Sequence, residues 1–268
     1  MTTEEQLNTV IDSNEEKIKR IYLAPSLAMK TYKDIGSVAG KEVFLSTPYI
    51  LRNKHVPLLN MLISGDHFDG ILIRNHESFG YINSNFPNTD MKIVLDSGMY
   101  ILNHEAFMFY HGSSAFKFDE FYNSYELNSK ETDQLMERIC QQGFDNVISS
   151  YIVYGRIPMM ISANCVKNTT SGCEGTTSFT YIKDRYDKSF PVLCDCDLCT
   201  NVIYNSVPLS LHRYTGKLLE KGNIRIDLTD ETATQTERVL ELFTHENDKK
   251  IFPGENEYTT GHYKRGIE

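Results

Sequence analysis

Seven short apolar runs alternating with helical patterns predict an α/β fold. The expected form is a TIM-type (β/α) barrel, counted one strand short, with a Cys-rich insertion before its last strand. Three observations carry this expectation. The runs are mostly β-branched and flanked by turn residues, as strands buried on both faces of a parallel sheet are. They recur at about 22 to 30 residues, the length of a βα unit. The stretches between them have the length and capping signals of crossover helices.

In chain order the strands are expected at RIYLAP (Arg20 to Pro25), EVFLSTP (Glu42 to Pro48), DGILIRN (Asp69 to Asn75), KIVLDSG (Lys92 to Gly98), SYELN (Ser124 to Asn128) and SSYIVYG (Ser149 to Gly155). NKHVPLLNMLISGDH reads as a helix before the third strand. SKETDQLMERICQQGF reads as another, with Ser129 as its cap and Gly143 as its stop. A seventh strand, NIRIDLT (Asn223 to Thr229), precedes the helical ETATQTERVLELFTH. The chain opens in a helical pattern, TEEQLNTVI, so the uncounted strand is expected ahead of residue 1. The unpaired edges of such a barrel would be covered by a second copy, a partner chain or an N-terminal segment. The whole of 1–268 is expected to be one barrel-like domain, with 160–215 as the insertion.

Composition narrows the function classes. The chain has 268 residues, 40% of them hydrophobic and 24% charged, enough for a large core and unlike a disordered chain. A net charge of −9 argues against a broad nucleic-acid-binding face, because phosphate contacts need clustered Lys and Arg. HYKRG, near the C-terminus, is the one local basic patch. No apolar run reaches the roughly 18 to 20 residues of a membrane span, and the acidic start is unlike a secretory signal, so a cytoplasmic location is expected.

Five of the six cysteines fall between Cys165 and Cys199. Cys165, Cys173, Cys196 and Cys199 make the pattern C-x7-C-x22-C-x2-C, and in a reducing compartment clustered thiols point to a metal. The spacing accepts either zinc or an iron–sulfur cluster, with a disulfide as the remaining alternative. Cys194 is a spare beside the group, and Cys140 is expected in a helix core.

VYGRIPMMISANCVKNTTSGC, IKDRYDKSFPVLCDCDLCTNVIYNSVPLSL, IRIDLTDE and YTTGHYKRGIE together resemble the collagenase-like peptidase family U32, closest to the C-terminal barrel-like unit of its longer members. FDGILIRNHE, KIVLDSGMYILNHEA and YELN are similar to the family's earlier strands and loops. The resemblance implies a TIM-type barrel in which Cys165, Cys173, Cys196 and Cys199 hold a 4Fe-4S cluster. It also implies oxygen-independent hydroxylation of RNA or of a small aromatic substrate, or service as an accessory to it. Cys194 departs from the family pattern and makes exchange with Cys196 conceivable. The older family name implies a protease. Against it, the chain has no HExxH, no G-x-S-x-G elbow and no P-loop, and neither His104 nor His262 stands at metalloprotease spacing.

Barrel active sites gather at the C-terminal ends of the strands. This rule selects Pro48 and Arg52, Arg74 and Asn75, Asp96, Glu126 and Asn128, Tyr154 and Arg156, and Arg225 and Asp227. Glu126 and Asn128 are expected to face the same way as an acid/base and its orienting partner, with Arg156 beside them. Arg74, Asn75 and Arg225 are the expected substrate contacts, and Arg74, Arg156 and Arg225 are expected to hold an anionic substrate or a cofactor carboxylate through bidentate pairing. The competing readings are a non-catalytic binding or scaffolding module held together by a structural zinc or cluster and, last, a protease.

Overall fold

The computed structural model describes residues 1–13, 15–32, 38, 40–170, 172–173, 175–244 and 258–266. The chain begins with α1 (Glu4–Asp12), whose Thr3 cap accepts from the Gln6 amide while the Gln6 side chain reaches back. β1 (Arg20–Leu23) leads into α2 (Pro25–Thr31), with proline in the first turn, where its missing N–H costs nothing. The alternation continues through β2 (Glu42–Ser46), α3 (Val56–Ile63), β3 (Gly70–Ile73), α4 (His76–Asn85), β4 (Lys92–Leu95) and α5 (His104–Ser113). It closes with β5 (Phe118–Tyr122), α6 (Ser129–Gln141) and β6 (Ile148–Gly155). β1 to β6 pair in sequence order, each parallel to the next.

After β6 the chain leaves the sheet and builds a second one. β7 (Pro158–Ser162), α7 (Val166–Thr170), β8 (Ser178–Lys183), β9 (Ser189–Asp195) and β10 (Thr200–Tyr204) form a four-stranded antiparallel sheet in the order β7-β10-β9-β8. The chain then returns to the first sheet. β11 (Leu209–Ser210) pairs antiparallel with the end of β6, and α8 (Thr215–Leu219) leads to β12 (Ile224–Ile226), which pairs parallel with β6. α9 (Ala233–Thr244) follows and packs on α1.

The parallel sheet is curled. Laid flat, β1 and β5 would lie four strand spacings, roughly 19 Å, apart. Yet Arg20 of β1 donates to Glu120 of β5 at 2.6 Å, and the hydroxyls of Tyr22 and Tyr122 meet at 3.1 Å. Side chains alternate between its faces. Ile21, Leu23, Val43, Leu45, Ile71, Ile73, Ile93, Leu95 and Phe121 point outward to the helices and form the main core. Tyr22, Phe44, Leu72, Val94, Tyr122 and Ile152 form a separate layer on the concave face. Two glycines make room for this packing. A Cβ on Gly70 would lie 2.3 Å from the Phe44 ring, and one on Gly155, at φ +134°, would lie 2.4 Å from the Asp227 carbonyl oxygen.

Three expectations are corrected. The fifth strand lies at Phe118–Tyr122, ahead of the expected Ser124–Asn128, because Glu120 is an inward residue satisfied by Arg20 and by the Ser150 hydroxyl, and its charge does not interrupt the strand. Asn128, not Ser129, caps α6. Its side chain accepts from the Lys130 and Glu131 amides, and Glu131 accepts from the Asn128 amide in return. Cys140, on α6, is half-buried and not a full core residue. Among the described residues no helix is long and apolar enough to cross a membrane.

Candidate functional site

The concave face is polar at both ends of its apolar layer. At the N-terminal end of the strands, Arg20 bonds both Glu42 (2.9 Å) and Glu120, while its guanidinium lies 4.2 Å from the centre of the Phe44 ring. Arg225 of β12 lies deeper. It donates to Asp96 at 2.9 Å and to both Asp227 oxygens at 2.7 and 3.0 Å, and it stacks 4.1 Å over Tyr122. Its Nη1 is buried without a hydrogen-bond partner among the described residues. Burial alone would raise the Asp96 carboxyl, but Arg225 and Arg74 outweigh it and hold the group below its ordinary range.

The C-terminal ends of the strands open onto a cleft of about 60 Å³, roofed by the small sheet. One wall is Pro48, Tyr49, Arg74 and Asp227, and the other is Leu193, Asp195, Leu198, Thr200, Val202 and Tyr204. Arg74 donates to Asp96 at 3.2 Å and sits 4.6 Å over the Tyr49 ring. The roof is fastened by a 2.6 Å hydrogen bond from Ser26 to Asp195 and by Tyr49 packing against Leu193, Val202 and Tyr204. Burial raises the Asp195 carboxyl, and the Ser26 hydroxyl offsets part of that shift.

The residues selected from the sequence separate here. Arg74, Asp96, Arg225 and Asp227 form one ion-pair network, with Arg74 and Asp227 lining the cleft. Asn75 is the cap of α4, accepting from the Ser78 amide and donating to the Pro48 and Tyr49 carbonyls, so it holds the Tyr49 loop in place. Arg156 lines the cleft, but its guanidinium is taken up by Asp230 at 2.7 Å and by the Asn205 and Ser206 carbonyls. Glu126 and Asn128 do not end a strand: Glu126 lies in the turn before α6, and Asn128 is the helix cap. Tyr154 donates to the buried Glu231. His104 pairs with its neighbour Glu105 at 3.2 Å, and His262 Nδ1 meets the Gly266 carbonyl. Sequence reasoning missed Arg20, Glu120, Tyr22, Tyr122 and Tyr49. The available signal was a charged or hydroxylated residue at every second position of strands that are otherwise apolar.

The small sheet gathers the cysteines at one end. Cys165 follows β7, Cys173 precedes β8, and Cys196 and Cys199 lie in the β9–β10 hairpin, while register brings Ser162 beside Asn201 and Ser178 beside Cys194. The Cys165 thiol accepts from the Asn168 amide at 3.5 Å, and this bond, with Lys167 nearby, lowers its pKa. The Cys196 thiol donates to the Thr176 carbonyl at 3.2 Å. Burial, with Cys173 next in weight, pushes the Cys196 thiol up to about 11. Cys199 holds a left-handed φ of +48°, at a cost on the order of 1 kcal/mol for a non-glycine residue. Cys194 is buried within β9, paired in register with Asn201 of β10 and bonded to its side chain at 3.3 Å.

The donor set is four soft thiols, the right chemistry for zinc or iron–sulfur. As placed, however, no three His, Cys, Asp or Glu among the described residues are arranged to hold a metal ion. The thiols share one end of the sheet without closing on a point.

No family model, curated protein or solved structure matches this chain.

Proposed function

We propose that the chain is an α/β enzyme, or an enzyme subunit, of the U32 type. Its curled sheet is a TIM-type barrel open at one seam. Its cleft takes a small planar aromatic substrate, and its four cysteines carry a metal centre, an iron–sulfur cluster in preference to zinc. One observation carries the reading: the Asp195–Thr200 hairpin serves two places at once. Asp195, Leu198 and Thr200 face the cleft, while the flanking Cys196 and Cys199 belong to the cysteine group. A metal held by those cysteines would therefore bear on the cleft wall. To bind one, Cys165 and Cys199 would have to close onto the Cys173–Cys196 pair.

The cleft's own residues support an aromatic substrate over an anionic one. Tyr49 and Tyr204 offer flat apolar surface, and the Arg74 guanidinium sits 4.6 Å from the centre of the Tyr49 ring. The two deep arginines are already offset by Asp96 and Asp227, which leaves little net positive charge for a phosphate. At about 60 Å³ the space is smaller than a ring, so entry requires the small sheet to lift from the Ser26–Asp195 fastening. A cluster, when bound, would supply electron transfer; this chain's residues would bind and orient the ring and exclude water.

The test is metal and acid-labile sulfide content, with the absorption spectrum, on protein purified without oxygen. Iron with sulfide is the expected result. Cys173→Ser and Cys196→Ser should each lose it, while Cys194→Ser and Cys140→Ser keep it. Absence of iron from folded wild-type protein sinks the cluster reading. One equivalent of zinc and no colour moves the chain to the binding-module reading.

A further inference from the structure

β1 and β12 are the two open edges of the curled sheet, and among the described residues no hydrogen bond between their backbones closes it. A cavity of about 280 Å³ lies between them, far more than a packed interior leaves empty. Its outer wall is apolar, from Val10 of α1 and from Leu240 and Phe243 of α9, whereas its inner wall holds Arg20, Tyr22, Tyr122 and Arg225.

The backbone on both sides is set out for a strand. β1 uses one set of alternate residues to pair with β2, since the Glu42 amide donates to the Lys19 carbonyl. By strand alternation, Arg20, Tyr22 and Ala24 turn their amides and carbonyls to the seam. Across it, the Asn223 carbonyl and the Asp227 amide bond to β6, so Ile224 and Ile226 present theirs to the seam. At one end an extended residue already bridges the gap. Met1 donates to the Tyr22 carbonyl at 3.1 Å and accepts from the Ala24 amide at 3.3 Å, the two bonds of a parallel partner opposite Leu23. Thr2 Oγ1 then reaches the Thr229 carbonyl on the far side at 2.7 Å.

We propose that this seam is a docking site for one parallel β-strand of a partner polypeptide, with apolar side chains toward α1 and α9 and a carboxylate or amide oxygen toward Arg225. The alternating walls specify the alternation of the strand. The unpartnered Nη1 of Arg225, in a side chain only 6% exposed, specifies an acceptor on its inner face. In the parallel register set by Met1, that inner residue stands level with Tyr22, whose ring lies 5.5 Å from the Arg225 guanidinium.

The experiment supplies the strand covalently. Val-Thr-Val-Asp placed ahead of Met1 would put Asp level with Tyr22 and both valines toward the helices. Gly-Ser-Gly-Ser and Val-Thr-Val-Lys are the controls. The Asp version is expected to raise Tm by several degrees over the Gly-Ser version and to slow hydrogen exchange at Tyr22, Ile224 and Ile226, with Lys reversing most of the gain. Equal Tm and exchange for the Asp and Gly-Ser versions would overturn the proposal. A dimer of the unextended chain with those three amides already protected would also overturn it, by giving the seam to a second copy.

Discussion

The two sheets of this protein use their apolar side chains in opposite ways. In the curled sheet, Phe44, Leu45, Ile71, Leu72, Ile73 and Leu95 are each 0 or 1% exposed, covered by helices on one face and by each other on the concave face. In the small sheet, the outer strand β7 shows Met159 and Met160 to solvent at 62 and 58%, while the inner strands β9 and β10 bury Val192, Leu193, Cys194, Val202 and Tyr204. The first sheet is a scaffold whose stability comes from burial on both faces. The second is a cover whose outer strands, β7 and β8, lie largely in water, and it carries the cysteines that a metal would engage. Stability and chemistry are therefore separated between the sheets, with one exception: the Arg74–Asp96–Arg225–Asp227 network puts buried charge inside the scaffold.

That exception gives the largest expected effect. Arg225→Ala leaves Asp96 and Asp227 without their main cation in a desolvated site and should cost about 3–5 kcal/mol, read from urea unfolding. Arg225→Met with Asp96→Asn and Asp227→Asn should recover much of it, because the loss comes from the stranded charges. The pH dependence follows from Asp96. Its folded pKa is depressed, so its contribution is full above the unfolded carboxylate value of about 4 and disappears as pH falls through the folded value. Wild-type stability should thus fall more steeply in acid than that of Asp96→Asn; parallel acid profiles would remove Asp96 from the account.

Next in size is a matched pair of truncations. Leu72→Ala, on the concave layer, should cost about 2–5 kcal/mol through lost burial and the cavity it leaves. Met160→Ala on β7 should stay within about 0.5 kcal/mol, since its side chain is already largely in water. Similar losses from both would erase the division between scaffold and cover.

The same division decides what could be read from the sequence. Strands buried on two faces show as unbroken apolar runs, and six of the seven expected runs coincide with β1, β2, β3, β4, β6 and β12. β5 escaped because Asp119 and Glu120 break its run, although only Asp119 faces water; Glu120 is spent on Arg20 and Ser150. The small sheet left a weaker trace, because one-sided strands such as SFTYIK differ little from a polar loop. At the site, Arg74, Asp96, Arg225 and Asp227 were found by their position at strand ends, a rule of topology. Their mutual neutralisation was not, because β4 and β12 are far apart in sequence and meet only through the curl. Asn128 was placed at a strand end although the sequence also carries the local signal of a helix cap: an Asn followed three residues later by Glu131 is a capping box.

A smaller loss than that of Leu72→Ala turns the placement of Asn128 into a measurement. If Asn128 serves α6 alone, Asn128→Ala removes an acceptor for the Lys130 and Glu131 amides and should cost about 1 kcal/mol. Asn128→Asp should retain most of the stability, since its carboxylate can accept the same two bonds and favours a helix N-terminus. A catalytic Asn128 would behave differently, because Asp lacks the amide donor an orienting partner needs: ligand binding in the cleft would drop in both variants while unfolding free energy moved in only one. Measuring unfolding and cleft binding on the two variants together therefore separates a residue that holds the scaffold from one that works in the site.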